Sequence, residues 1–312
     1  MINKHIFGIE DLDREDIIKI FEYAEEYHKY IQKRPVKTYD FLDGFTVLNL
    51  FFEPSTRTRI SFEIAAQRLG ANVVNFSKTG SSVAKGETLR DTILSLDAMK
   101  PDLIVVRNGE PFTPKFVSEN SEACVINAGD GTHEHPTQAL LDTFTMSQYK
   151  DTFEGLKVAI VGDILHSRVA RSNILALNKL GAKVVLVGPP TLVPEAFTHM
   201  GVEVCYDFDK IIPDMDVIMM LRIQLERQKS GLFPSISEYH KLYALTEERI
   251  KRVKKDVLIM HPGPINRGVE FDGIVADGEN SLILEQVTNG VVIRMALLTI
   301  LLRGDIDAKD IN

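Results

Sequence analysis

Apolar residues recur at helical spacing from Leu12 to Ile31, which predicts an amphipathic helix. Thr46–Phe52 then reads as a buried strand. Helical periodicity follows from Ser55 to Leu69 and stops at Gly70, a natural helix end. Asn72–Phe76 predicts a second strand and Glu87–Met99 a second helix. Leu103–Arg107 and Ala123–Asn127 predict two more strands, separated by helical material. Strands alternating with helices imply a parallel sheet with helices on both faces.

The pattern restarts after a long helix predicted over Pro136–Tyr149. Lys157–Val161 reads as a strand and Ala170–Leu180 as a helix. Val184–Val187, Val202–Cys205, Val217–Met220 and Val257–Met260 follow as strands. The expected fold class is α/β, with two doubly wound domains, each a mainly parallel sheet flanked by helices. The division falls near residues 145–155, giving a first domain over 1–148 and a second over 149–287. A last apolar helix, Gly290–Arg303, has no strand after it, and residues 288–312 are expected to return to the first domain. No internal repeat or low-complexity segment interrupts this plan.

A chain of 312 residues suffices for two domains with buried cores, and 44% hydrophobic with 26% charged residues is ordinary for a soluble globular protein. The formal net charge of −8 argues against nucleic acid or an anionic membrane as partner, because both need a basic face. Any anion site must be a local concentration of arginine and lysine. Cys124 and Cys205 are the two cysteines, far apart and without metal-like spacing, as expected of small buried residues in a reducing compartment. The first residues, MINKHIFGIEDLDRED, lack the apolar core of a signal peptide. The run VVIRMALLTILL is too short to span a bilayer and contains Arg294. A cytoplasmic location is expected.

Against that background the stretch FFEPSTRTRISFE, Phe51–Glu63, stands out. Ser55, Thr56, Arg57, Thr58 and Arg59 crowd the junction between a predicted strand and a predicted helix. In open α/β sheets ligands bind beyond the carboxyl ends of strands, where free N–H groups and the positive end of the next helix favour phosphate. The hydroxyls add donors, and Arg57 adds a planar fork suited to phosphate oxygens. An ordinary helix cap accounts for one hydroxyl but not for the crowding.

Other candidates have plainer alternatives. VAIVGD, Val158–Asp163, precedes a helix, but after Gly162 come Asp163, Ile164 and Leu165, so the dinucleotide glycine pattern is absent. His133, Glu134 and His135 are adjacent rather than one helical turn apart, which does not suit zinc. Neither a cofactor nor a metal is expected. Arg107 ends a predicted strand, where a solvated arginine is ordinary. His135 precedes Pro136 at a helix start, where a capping histidine is ordinary. Lys85 reads equally well as a loop charge.

STRTR followed by SFE resembles the carbamoyl-phosphate loop of the aspartate and ornithine carbamoyltransferases. NAGDGTHEHPTQALLD, Asn127–Asp142, is similar to that family's HPTQ segment, and HPGP, His261–Pro264, to its second-domain loop. SSVAKGET, Ser81–Thr88, resembles the mobile lysine loop of the aspartate branch, and RIQLER, Arg222–Arg227, its aspartate-binding loop. The matches cover essentially the whole chain in the family's order. Ornithine members typically read HPCQ and HCLP where this chain has HPTQ and HPGP, and they carry an SMG triplet that is missing here. Arg168, in LHSRVARS, and Arg222 suit a substrate with two carboxylates. That substrate is aspartate.

The resemblance implies transfer of a carbamoyl group from carbamoyl phosphate to the α-amino group of L-aspartate, an early step of pyrimidine biosynthesis. It places Ser55, Thr56 and Arg57 on the phosphate, with Lys85 reaching in from a neighbouring chain. Thr58, Arg107 and His135 polarise the carbonyl oxygen, Gln138 reaches the carbamoyl amine, and Gly263 and Pro264 complete the carbamoyl phosphate site. Arg168, Arg222 and Gln224, with Lys85, orient aspartate. Glu53 pairs with second-domain arginines when the domains close. The shared lysine implies a homotrimer with active sites shared between chains. Whether a regulatory chain or a dihydroorotase partner binds it stays open. Two rivals also remain at this point: another acceptor amine such as ornithine, and a non-catalytic scaffold.

Overall fold

The computed structural model of the chain describes residues 2–77, 86–223, 235–304 and 307–311. Lys85 and Gln224 therefore lie outside the described residues. The chain forms two compact units, one of residues 1–141 with 288–312 and one of residues 142–287.

Among the described residues, the first unit holds five parallel strands: β1 (His5–Ile6), β2 (Thr46–Phe51), β3 (Asn72–Ser77), β4 (Leu103–Asn108) and β5 (Cys124–Asp130), in the order β1-β5-β4-β2-β3. The helices are α1 (Arg14–Ile31), α2 (Thr56–Arg68), α3 (Leu89–Asp97), α4 (Thr113–Ser118) and α5 (Pro136–Ser147). Leu48, Leu50, Ile104, Val106 and Val125 pack with Ile93 of α3 and Val117 of α4. Their alternates Val47, Val105 and Ile126 are also fully buried, so both sheet faces are covered. That is why these strands read as continuous apolar runs, each buried side chain adding roughly 1.5–3 kcal/mol. α1 starts where Asp13 and Asp16 form a reciprocal capping box, with Asp16 N donating to Asp13 Oδ1 at 2.8 Å.

The second unit repeats the scheme with β6 (Lys157–Val161), β7 (Lys183–Val187), β8 (Glu203–Cys205), β9 (Val217–Met220) and β10 (Leu258–Met260). Their order is β10-β9-β6-β7-β8, again all parallel. α6 (Arg168–Leu180) follows β6. Among the described residues this unit also has the shorter helices α7 (Phe208–Ile211), α8 (Ile236–Tyr243), α9 (Glu247–Ile250) and α10 (Gly273–Ala276).

In each sheet the chain moves outward from its first long strand and then crosses to that strand's other side. The order therefore reverses between β2 and β4 in one unit and between β6 and β9 in the other. These are the positions where a parallel sheet leaves a crevice beyond its carboxyl ends.

Two sequence expectations shift. The last helix, α11, runs Ile283–Arg303 rather than starting at Gly290. Gly290 is inside the helix for a packing reason: a Cβ there would lie 2.6 Å from Arg294 Nη1 and 3.2 Å from Leu141 Cδ2. At 21 residues α11 is long and apolar enough to cross a membrane, contrary to the shorter run read from sequence, but 72% of its apolar window is buried inside the protein. Second, the two compact units meet along the chain after Leu141, within α5, a few residues before the expected division near 145–155. Asp142, fully buried, accepts from Asn173 Nδ2 at 2.9 Å and from Gln286 Nε2 at 2.7 Å, which ties the end of α5 to the second unit's own residues.

Candidate functional site

In the first unit the crevice lies beyond the paired residues Phe51 of β2 and Arg107 of β4. Phe52 N donates to Arg107 O at 2.9 Å, so the ladder continues one step past Phe51 before the chain turns into α2. Ser55 occupies the N-cap position in extended backbone, yet its side chain makes no capping bond. The first turn of α2 carries no acidic side chain, so its positive end is not neutralised locally. Thr56 and Arg57 are exposed, Ser55 and Arg59 half-buried, and Thr58 buried. Arg107 Nη1 donates to Ala128 O at 2.9 Å, and its Nε lies 3.7 Å from Glu53 Oε2. The guanidinium is thus fixed at the strand end, with Glu53 beside it.

The turn after β5 brings in His135 and Gln138, both buried. Asp130, 1% exposed, organises this turn. Its Oδ2 accepts from Phe112 N at 2.6 Å, and its Oδ1 from Glu134 N at 3.1 Å and Asn127 Nδ2 at 2.8 Å. Glu134 Oε2 in turn accepts from Ile9 N at 2.9 Å. At Gly131 (φ +49°) a Cβ would lie 2.8 Å from Pro111, so the close approach of the two loops requires glycine. Behind these elements Arg294 of α11 donates to Ser61 Oγ (3.0 Å), Thr137 Oγ1 (3.3 Å) and Gly290 O (2.8 Å), its guanidinium 4.9 Å from the Phe62 ring. Ser61 is one turn beyond Thr58 on α2, and Thr137 precedes Gln138 on α5, so Arg294 holds both helices that carry candidate residues.

In the second unit the crevice lies beyond the paired residues Val161 and Met220. The chain leaves β6 through Gly162 (φ +135°), where a Cβ would lie 2.9 Å from Leu221 O. Asp163, fully buried, accepts from His166 N at 3.2 Å and from His166 Nδ1 at 2.9 Å. Ser167 caps α6 by accepting from Ala170 N at 3.1 Å. Arg168 is the first residue of α6 and 6% exposed, while Arg222, half-buried, lies two residues beyond β9. The two arginines thus stand beyond the carboxyl ends of the neighbouring strands β6 and β9.

His261 follows β10, the neighbour of β9. Its Nδ1 accepts from Gly263 N at 2.7 Å, so that nitrogen carries no proton and Nε2 does. Its backbone N donates to Gln286 Oε1 at 2.9 Å, linking the Gly263–Pro264 turn to Asp142 through Gln286. Next to this turn Glu270 is fully buried, and burial pushes its carboxyl pKa up against hydrogen bonds from Ile223, Asn266 and its own backbone that lower it.

The structure thus places Glu53, Ser55, Thr56, Arg57, Thr58, Arg107, His135 and Gln138 at one unit's switch point or the turn beside it. Arg168, Arg222, Gly263 and Pro264 occupy the strand ends of the other. Within their own units, Asp130, Glu134 and Arg294, and Gln286 and Glu270, hold the turns and helices that carry candidate residues, and sequence reasoning gives them no such role. Their signal is a polar or charged residue inside an apolar context, visible for Arg294 but ambiguous without the fold. Among the described residues, no three His, Cys, Asp or Glu side chains are placed to hold a metal ion.

Known proteins share this fold and much of this sequence. A family model for the carbamoyl-phosphate-binding domain of aspartate/ornithine carbamoyltransferases matches residues 4–148, and one for the aspartate/ornithine-binding domain matches 154–301. The aspartate carbamoyltransferase catalytic subunit of Halothermothrix orenii is 53% identical over 308 residues, covering 99% of this chain and 98% of that protein. Aspartate transcarbamoylase from Trypanosoma cruzi, solved with carbamoyl phosphate and aspartate, superposes with a TM-score of 0.85 at 31% identity, covering 94% of this chain and 95% of that one. Ornithine carbamoyltransferase from Pyrococcus furiosus superposes with 0.84 at 29% identity, covering 97% and 98%. Architecture alone therefore does not separate the two acceptors, whereas the sequence identity over the full length favours one.

Proposed function

The chain belongs to the aspartate/ornithine carbamoyltransferase family, and from that premise we propose that its two switch points divide the work of joining carbamoyl phosphate to L-aspartate. It transfers the carbamoyl group to the α-amino nitrogen, giving N-carbamoyl-L-aspartate and inorganic phosphate. The observation that carries the choice of acceptor is the pair Arg168 and Arg222, beyond the neighbouring strands β6 and β9. Two guanidinium groups suit a dicarboxylate through charge-assisted hydrogen bonds and do not suit the cationic side chain of ornithine.

The amine lone pair attacks the carbonyl carbon, a C–N bond forms, and the carbonyl electrons move to oxygen. Collapse of that oxyanion breaks the C–O bond to phosphate, which leaves with the electron pair. The amine proton needs an acceptor, and the departing phosphate supplies a basic oxygen. Ser55, Thr56 and Arg57 hold the phosphate at the unneutralised end of α2. Thr58, Arg107 and His135 stabilise the oxyanion, and Gln138 orients the carbamoyl amine. Arg107 suits this role because its bond to Ala128 O fixes it before substrate arrives, and removing one such preorganised donor typically costs 10²–10³ in kcat. Gly263 and Pro264 complete the carbamoyl phosphate contacts, and Gln224 joins the two arginines on aspartate. Lys85 serves both substrates from an adjacent chain of a homotrimer, and the protein acts in the cytoplasm.

The test is carbamoyl transfer from labelled carbamoyl phosphate with L-aspartate and L-ornithine side by side. Carbamoyl-aspartate as the sole product is expected. Transfer to ornithine would overturn the role given to Arg168 and Arg222, and no transfer to either would favour a non-catalytic role.

A further inference from the structure

Both carboxylate oxygens of Glu270 are occupied by donors from two separate loops of the second unit. Oε1 accepts from Ile223 N at 2.9 Å and Asn266 Nδ2 at 3.1 Å, and Oε2 accepts from Asn266 N at 2.7 Å. Ile223 follows Arg222 directly, and Asn266 lies two residues past Pro264. The glutamate is itself held still: its carbonyl accepts from Leu245 N at 2.9 Å, and the next residue, Phe271, is fully buried in the unit's core. A buried carboxylate is a costly way to fill space, because an apolar side chain of similar volume would avoid the desolvation cost. Here it satisfies two main-chain N–H groups, one in each loop, from a single fixed point.

We propose that Glu270 is a positioning residue that holds the Arg222 loop and the Gly263–Pro264 loop in register, so that one side chain sets the binding of both substrates. This rests on the reading of those loops as substrate-binding. Glu270 touches neither substrate and acts only through the Ile223 and Asn266 amides. A carboxamide in its place has one acceptor oxygen instead of two, and its NH₂ would face a donor. At least one loop is then released while size and fold are kept.

The experiment compares full-length wild type, Glu270→Gln, Asn266→Ala and, as a stability control, Asp209→Asn, which breaks the ion pair with Arg249 elsewhere in the same unit. Steady-state constants for aspartate and carbamoyl phosphate are measured together with melting temperatures. Glu270→Gln is expected to raise the KM for aspartate about tenfold and that for carbamoyl phosphate severalfold, with kcat changing less than either, as uniform loss of binding does. Asn266→Ala, which removes only the side-chain bond, should shift both KM values in the same direction by less. Asp209→Asn should lower the melting temperature with both KM values unchanged.

Unchanged KM values in an active, folded Glu270→Gln protein would overturn the proposal, as would equal KM shifts in Asp209→Asn. Should Glu270→Gln not fold, Asn266→Ala decides, and no KM shift there sinks the idea. An inactive wild type would remove both the functional reading and this inference. An active wild type with unmoved variants removes this inference alone.

Discussion

Arg107 has one guanidinium nitrogen bonded to Ala128 O at 2.9 Å, and its Nε stands 3.7 Å from Glu53. It stands at the end of β4, where the proposed reaction would place its oxyanion. Lysine would keep the charge but offers a single point of attachment on a flexible stem. Arg107→Lys is therefore expected to lower kcat by about 10²-fold, with a melting temperature within about 3 °C of wild type. A kcat within twofold of wild type would show that charge alone suffices and that the fork has no role. At this scale the candidate residues are legible in the sequence, because STRTR, HPTQ, HPGP and the two arginines are local patterns whose chemistry is written in their side chains. Glu270 and Asp142 are not legible, since one partner of each, Ile223 and Gln286, lies 47 and 144 residues away along the chain and only the fold brings them together.

Buried parallel strands read as unbroken apolar runs, which is why β2, β4, β6, β7 and β9 are legible in the sequence alone. β5 reads as ending at Asn127 but extends to Asp130, because its last polar groups bond to one another and to Phe7 O instead of to water. β1 has two residues and no periodicity to read. The short helices α7 to α9 likewise lack the length for a pattern, and side-chain pairs do the work of propensity there. Arg249 of α9 donates from Nε and Nη2 to Asp209 of α7 at 3.2 and 2.8 Å. That hydrogen bonding holds the Asp209 carboxyl below its usual range, against partial burial that raises it. A carboxyl with a depressed folded-state pKa stabilises the fold above its unfolded value, near 4, and loses that contribution as pH falls through the folded value. The wild-type melting temperature should thus drop between pH 5 and pH 3 more steeply than that of Asp209→Asn. Parallel curves for the two proteins would show that the pair contributes nothing to the pH dependence.

For the whole molecule, the decisive question is whether one chain is enough. Lys85 lies in SSVAKGET, the segment that resembles a loop donated between neighbouring chains, and Arg57 lies in STRTR, the segment that resembles the carbamoyl-phosphate loop. In a cyclic trimer with shared sites, each site takes Arg57 from one chain and Lys85 from the next. Lys85→Ala and Arg57→Ala trimers should each be nearly inactive, because every site carries one lesion. After dissociation and equal reassembly, three quarters of the trimers contain both variants. Each mixed trimer has one interface where an intact Arg57 meets an intact Lys85, so about one quarter of all sites are restored by this symmetry argument. Specific activity should therefore rise to about a quarter of wild type, a magnitude that contamination or partial refolding of either parent does not produce. If Lys85 served its own chain's site, every chain of a hybrid would still carry a lesion and activity would stay at the parental level. Verified hybrids without recovery would show a site complete within one chain, and recovery near one quarter would show that each site takes Arg57 and Lys85 from different chains.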